Sequence, residues 1–182
     1  MAALEPDVRE RVGFVLSVGG YHDLRSVAVF LTTGYFREEI PGGGGKWRHA
    51  EIHPYARQVL ALHLAERATG QTALKALLDS TDPEQALELI KRLPAPALAE
   101  LAALNTAQQD LSGLKANFIL LHGRGDDFIP YTESLGLARA LPADRARLFL
   151  IDGLAHVNIR PQPHDLPALL QAVEALLSER GS

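Results

Sequence analysis

The sequence predicts an α/β fold: three parallel strands, flanking helices and an all-helical insertion. Three observations carry that prediction. Short apolar runs at residues 12–18, 117–121 and 147–151 each stop at or just before a glycine, namely Gly19-Gly20, Gly123 and Gly153. Runs that are apolar throughout, without polar alternation, suit strands buried on both faces of a parallel sheet. Between the second and third runs, residues 131–141 are apolar at helical spacing (Leu135, Leu137, Ala138, Leu141) and Pro142 stops them, while residues 166–177 form a last amphipathic helix. Strand, helix, strand, helix implies right-handed crossovers in one sheet.

The stretch between the first and second runs has a different texture. Residues 55–68 place Val59, Leu60, Leu62 and Leu64 at helical spacing. Asp82-Pro83-Glu84 supplies a cap, a proline at the first helical position and a first-turn acid for a helix reaching Leu93. Pro94-Ala95-Pro96 breaks the chain before another Ala/Leu-rich helix ending near Gly113, and the glycine run 42–45 reads as a flexible loop. The expected organisation is therefore a core formed by residues 1–20 with 115–182, and a helical insertion of residues 21–114.

Composition removes several classes of function. Lys and Arg number 18 against 22 Asp and Glu, a net charge of −4, so there is no basic surplus for nucleic acid. A 47% hydrophobic, 22% charged chain can bury a core. With no cysteine, disulfides, thiolate metal sites and a Cys nucleophile are excluded. The first 11 residues carry five charges and no apolar run approaches the roughly 18 residues of a membrane span. A cytoplasmic protein with no membrane partner is expected.

Two further motifs fall short. Gly45-Lys46 lacks the flanking residues of a phosphate loop, because Ile40 and Trp47 stand where a Gly and a Ser/Thr are needed. His49 and His53 are four apart, but no Glu follows His49 and Pro54 interrupts the helix, so they read as surface or packing histidines. Neither a metal nor a cofactor is expected.

The chemistry concentrates in the last third. Asp126 and Asp127 follow one strand and His156 follows the next. Neighbouring parallel strands lie about 5 Å apart and their carboxyl-end loops share one edge, so such an acid and such a histidine can meet. The carboxylate would hold the imidazole in the tautomer whose other nitrogen accepts a proton.

At these residues the chain resembles the C-terminal part of the α/β-hydrolase fold. Gly123-x-x-Asp126-x-x-Ile129-Pro130 resembles the acid loop of that superfamily, which puts the triad acid on Asp126 with Asp127 as the next choice. Gly153-Leu154-Ala155-His156 resembles its histidine loop, 30 residues further on. Residues 16–24 resemble its sixth strand and the turn after it, where many members insert a helical cap. The resemblance implies an esterase or acyl-hydrolase type of activity on a small ester or acyl substrate.

The departure from the pattern is the nucleophile. No Gly-x-Ser-x-Gly elbow occurs in the sequence. Ser17 is the weaker candidate: it follows an apolar run and gives the chain order Ser17, Asp126, His156, but Val15 stands where the first elbow glycine belongs. If residues 12–18 are the sixth strand, five strands and the serine belong upstream. The chain is then the acid–histidine half of a hydrolase, inactive alone, or a non-catalytic interaction module. Its first strand should present an unpaired apolar edge and a bare sheet face. A homo-oligomer, or a complex with a chain carrying the N-terminal half, is expected to cover them.

Overall fold

The computed structural model describes residues 2–40, 43–65, 71–155 and 160–181. A short helix α1 (Pro6–Arg9) leads into strand β1 (Phe14–Val18). The insertion follows: helix α2 (Leu24–Thr33), strands β2 (Tyr35–Glu39) and β3 (Gly45–His49), then helices α3 (Ala56–Ala65), α4 (Gln71–Leu78), α5 (Pro83–Lys91) and α6 (Ala95–Leu104). The chain returns to the sheet with β4 (Asn117–Gly123), α7 (Tyr131–Ala140), β5 (Ala146–Ile151) and α8 (Leu166–Ser178). Among the described residues, no helix is long and apolar enough to cross a membrane.

The main sheet has the order β1-β4-β5 and is parallel throughout. The register pairs Phe14 with Asn117 and Leu16 with Ile119, then Phe118 with Ala146 and Gly123 with Ile151. Side chains alternate across the sheet, so Val15, Phe118, Leu120 and Leu148 share the face that packs on Leu137 of α7 and on Leu141 just after it. The opposite face carries α8, whose Ala172 and Ala175 are buried and whose end is tied to the sheet by the Asn117 amide donating to Glu179 Oε2 at 2.9 Å. The fold is α/β, three parallel strands between helices, a layout consistent with part of an α/β-hydrolase fold.

Three expectations need correction. The first run is not buried on both faces: Phe14, Leu16 and Val18 are 38%, 44% and 55% exposed, because α8 reaches β4 and β5 and leaves this side of β1 uncovered. The insertion is not all-helical. β2 and β3 form an antiparallel hairpin pairing Tyr35 with His49 and Arg37 with Trp47. Gly43 and Gly44 lie in the hairpin's connection at φ 100° and φ 90°, left-handed backbone that a side chain resists. Finally, α6 ends at Leu104 rather than near Gly113, where Asn105 turns extended and caps a short 3-10 turn by accepting from the Ala107 amide.

Helix α2 is the spine of the insertion. Asp23 caps it by accepting from the Arg25 amide, and Gly34 closes it in the left-handed conformation at φ 77°. It is buried from Val27 to Thr33. Ala28 and Val29 pack on Leu77, Ile90 and Leu101 from α4, α5 and α6, while Phe30 packs with Phe36, Phe128 and Ile129. Asp82 caps α5 through the Gln85 amide at 2.7 Å, with Pro83 in its first turn as the sequence predicts.

The two roots of the insertion lie side by side. The Asn105 amide donates to Asp23 Oδ1 at 2.8 Å and Thr106 Oγ1 donates to the His22 carbonyl at 2.8 Å. From the sheet side, Glu133 in the first turn of α7 accepts from the His22 and Asp23 amides at 3.0 and 2.7 Å.

Candidate functional site

The loop after β4 is built around a buried carboxylate. Asp126 Oδ1 accepts from the Phe128 and Ile129 amides, both at 2.9 Å, which curls the loop back before Pro130 starts α7. Its Oδ2 lies 3.4 Å from His122 Nε2. His122 is fully buried beneath the loop. The Ile129 carbonyl 2.9 Å from Nε2 can only accept, so Nε2 carries a proton, and Nδ1 lies 2.6 Å from the Ser134 hydroxyl. The imidazole thus holds both the acid and the loop behind it.

Asp127 is turned differently. Its backbone carbonyl accepts from the His53 amide at 3.0 Å, and its Oδ1 is buried with no hydrogen-bond partner among the described residues. The His53 ring stacks on Phe128 with centroids 4.6 Å apart, so the insertion rests directly on the acid loop. His49 packs edge-on against Tyr35 at 4.9 Å. Both histidines are in aromatic packing.

The hairpin and the acid loop enclose a cleft of about 430 Å³. Phe30 and Phe36 form its apolar wall, and Tyr131, Arg48, Arg124 and Asp126 give it polar groups. These side chains are fixed by one another. Tyr131 donates to Glu38 Oε1 at 2.6 Å, Arg48 Nε donates to Glu38 Oε2 at 2.7 Å, and the Arg124 guanidinium lies 5.4 Å from the Tyr131 ring centre.

The loop after β5 is held by a second carboxylate. Asp165 Oδ1 accepts from the Asp152 amide at 2.9 Å, and Oδ2 accepts from Gly153 at 2.9 Å and Gln162 at 2.8 Å. These amides, that of Gln162 foremost, hold the Asp165 carboxyl below its usual range. Asp152, His164 and Asp165 bring potential ligand atoms within 4.8 Å of one another, but both Asp165 oxygens are already engaged by backbone amides.

Two glycines let the loops close on one another. A methyl on Gly123 would run into the carbonyl oxygen of Leu154, and one on Gly153 into the carbonyl of Arg160. The backbone leading to residue 156 therefore crosses directly over the end of β4. His156 itself lies outside the described residues.

Ser17 stands within β1, opposite Leu120, its hydroxyl against Gly20. An elbow serine sits on a strained turn between strand and helix. No non-glycine among the described residues has a positive φ, and the turn after β1 uses Gly19 at φ 62° instead.

Three residues that organise the site are not singled out by sequence reasoning. His122 reads only as a strand end, and nothing in the chain marks its pairing with Ser134. Glu133 looks like one more first-turn acid. Asp165 carries a usable signal, an Asp just before Leu166-Pro167, which is an N-cap followed by an early proline.

Comparison with known proteins gives a distant likeness. The chain is 25% identical over 130 residues to a 2-hydroxy-6-oxo-2,4-heptadienoate hydrolase from Pseudomonas putida, a match covering 70% of this chain and 47% of that protein. The chain spans about half the length of the curated relative it matches. No family model matches, and no solved structure matches.

Proposed function

We propose that the chain supplies the acid and the histidine of a Ser–Asp–His hydrolase of ester or acyl type. Asp126 orients His156, which serves as general base toward a serine and then as general acid toward the leaving group. The observation that carries this reading is the contact of Gly123 with the Leu154 carbonyl. It brings the strand end three residues before Asp126 against the backbone two residues before His156. The likeness to a protein named for hydrolysis of 2-hydroxy-6-oxo-2,4-heptadienoate supports the hydrolase class. The aromatic-walled cleft beside Asp126 is the place for a small substrate.

The nucleophile in this reading belongs to the part of the architecture the chain does not span, since no Gly-x-Ser-x-Gly occurs in it. The missing elbow also favours a second reading, a non-catalytic module that keeps the hydrolase scaffold. Both keep Asp126 as a loop organiser. Only the first needs it to act on His156.

Titration of the histidine ring protons by NMR separates them. With Asp126 beside the ring, the His156 midpoint falls by about one pH unit or more in Asp126→Asn, because the imidazolium loses its counter-charge. Asp127→Asn leaves it in place. A midpoint that moves only in Asp127→Asn transfers the role to Asp127, and one indifferent to both removes the pair.

A further inference from the structure

Asp126 is gripped from two sides, and the two grips belong to different parts of the chain. Its Oδ2 faces His122, on β4 of the main sheet, at 3.4 Å. Its Oδ1 takes the Phe128 and Ile129 amides, and the side chains of those same two residues pack on the cluster that Val27, Phe30 and Leu31 of α2 form with Ala56 of α3. One carboxylate oxygen is thus referred to the sheet and the other to the insertion.

His53 makes the grip from the insertion more specific than apolar packing. Its amide donates to the Asp127 carbonyl at 3.0 Å, and its ring lies on the Phe128 ring with centroids 4.6 Å and planes 29° apart, the close end of the range for stacked rings. His53 is itself fixed: Nδ1 accepts from the Tyr55 amide at 3.2 Å, and its carbonyl accepts at 2.9 Å from the amide of Ala56, the first residue of α3. A main-chain bond and a ring stack from one residue therefore land on two successive residues of the acid loop. Together they set both its position and its tilt. The hairpin's own reach goes further along the chain, from Glu38 and Glu39 to Tyr131 and Arg139 of α7.

We propose that His53 is a positioning residue for Asp126: seated on the acid loop, it holds the Phe128 and Ile129 amides where they orient the carboxylate toward His156. This role rests on the hydrolase reading, which supplies His156 as the group that Asp126 serves. Packing alone would account for a half-buried imidazole. It does not account for the place where the contact falls, which is the segment whose amides hold the acid.

The two bonds to Oδ1 reach only two and three residues along the chain, so the turn forms within the loop in any case. A short turn of this kind gains little over its bonds to water and does not fix a direction. Direction comes from outside the loop. His122 supplies it from the sheet side, through Oδ2 and the Ile129 carbonyl, and His53 supplies it from the insertion side, through Asp127 and Phe128. Without the second contact the turn persists but the carboxylate can swing about the first, and a misplaced acid serves its histidine less well. Where the insertion sits then decides how the acid points.

Three variants followed by NMR test this. His53→Ala removes the ring and keeps the main-chain bond, His53→Phe restores a ring while removing the same titratable group, and Asp126→Asn sets the full effect. In His53→Ala the Phe128 and Ile129 amides are expected to exchange with solvent about tenfold faster, while those of β4 keep their wild-type rates. The His156 midpoint is expected to fall in the same variant, in the direction of Asp126→Asn and by less. His53→Phe is expected to return both measurements to near the wild-type values. The sign is diagnostic, because losing only a charge on His53 would raise the His156 midpoint. If His53→Ala also speeds exchange in β4, Phe128→Leu removes the stack from the loop side and carries the same two expectations. Unchanged exchange at Phe128 and Ile129, or a midpoint that Asp126→Asn lowers and loss of the stack does not, overturns the role of His53 and leaves the hydrolase reading standing. A midpoint indifferent to Asp126→Asn overturns that reading and the role of His53 with it.

Discussion

The turn leaving β1 and the loop leaving β5 are held by the same device and respond to protons in opposite ways. In each, a carboxylate at the start of a helix accepts from consecutive backbone amides: Glu133 of α7 from His22 and Asp23, Asp165 ahead of α8 from Asp152 and Gly153. Asp165 gains a third amide, from Gln162, and its carboxyl is held low. Glu133 has only two, and burial pushes it up from 4.5 to about 7, with the Asp23 charge adding to the rise. The balance of donors against desolvation decides the sign. The β5 loop is therefore clamped by an anion except in acid, while the root of the insertion is held by a group that titrates near neutrality.

The sharpest way to break the comparison is to separate the two loops sterically. Gly123 has backbone on top of it, the Leu154 carbonyl, which cannot swing aside as a flexible side chain would. Gly123→Ala is expected to cost about 4 kcal/mol or more, or to abolish folding. Gly125, two residues on, has open space within 4 Å of the point a methyl would occupy, and no positive φ. Gly125→Ala should change stability by less than about 1 kcal/mol. Urea unfolding of both checks this, and equal losses would show that the loops are not apposed at Gly123.

The next effect is the pH dependence of Glu133. Its folded pKa is raised, so below about 4.5 it is protonated in both states and its contribution is complete. As pH rises the unfolded chain releases the proton first, and stability falls until the folded group ionises near 7. The loss is about 3 kcal/mol between those limits. Urea midpoints at pH 5 and pH 8 measure it. In Glu133→Gln, which keeps an oxygen for the two amides, the difference should largely vanish. Asp165 runs the other way: its contribution is present above the unfolded value of 3.8 and disappears as pH falls through its lower folded value.

What the sequence made legible follows from the range of the forces involved. The strands at 117–121 and 147–151, the Asp82 cap and the helices after Pro130 and Asp165 are specified by neighbouring residues, and they stand where the patterns put them. The hairpin was hidden because Tyr35 and His49 are paired across a glycine run that reads locally as a loop. The exposure of Phe14, Leu16 and Val18 depends on where α8 stops, which no local pattern contains. At the site, the loop that Asp126 organises was legible as the turn ending the second strand. His122 and Glu133 act through partners 12 and more than 100 residues away, Ser134 and His22.

The smallest expected effect asks whether the β1 turn takes part in chemistry at all. If both loops at this edge of the sheet were catalytic, the serine of β1 just ahead of the Glu133-held turn, Ser17, would be the nucleophile. A nucleophilic serine needs a turn that lifts its hydroxyl out of the strand and aims it at amide donors for the oxyanion. Ser17 instead lies in extended strand with its hydroxyl against Gly20, and the left-handed backbone falls on Gly19. Ser17→Ala should therefore leave p-nitrophenyl acetate hydrolysis at the wild-type rate, itself no faster than general-base background. Stability should change by no more than about 1 kcal/mol, the worth of one hydroxyl hydrogen bond. Turnover well above background that disappears with the Ser17 hydroxyl would make the β1 turn the elbow. The two loops would then be partners in one triad, one supplying the nucleophile and the other the base.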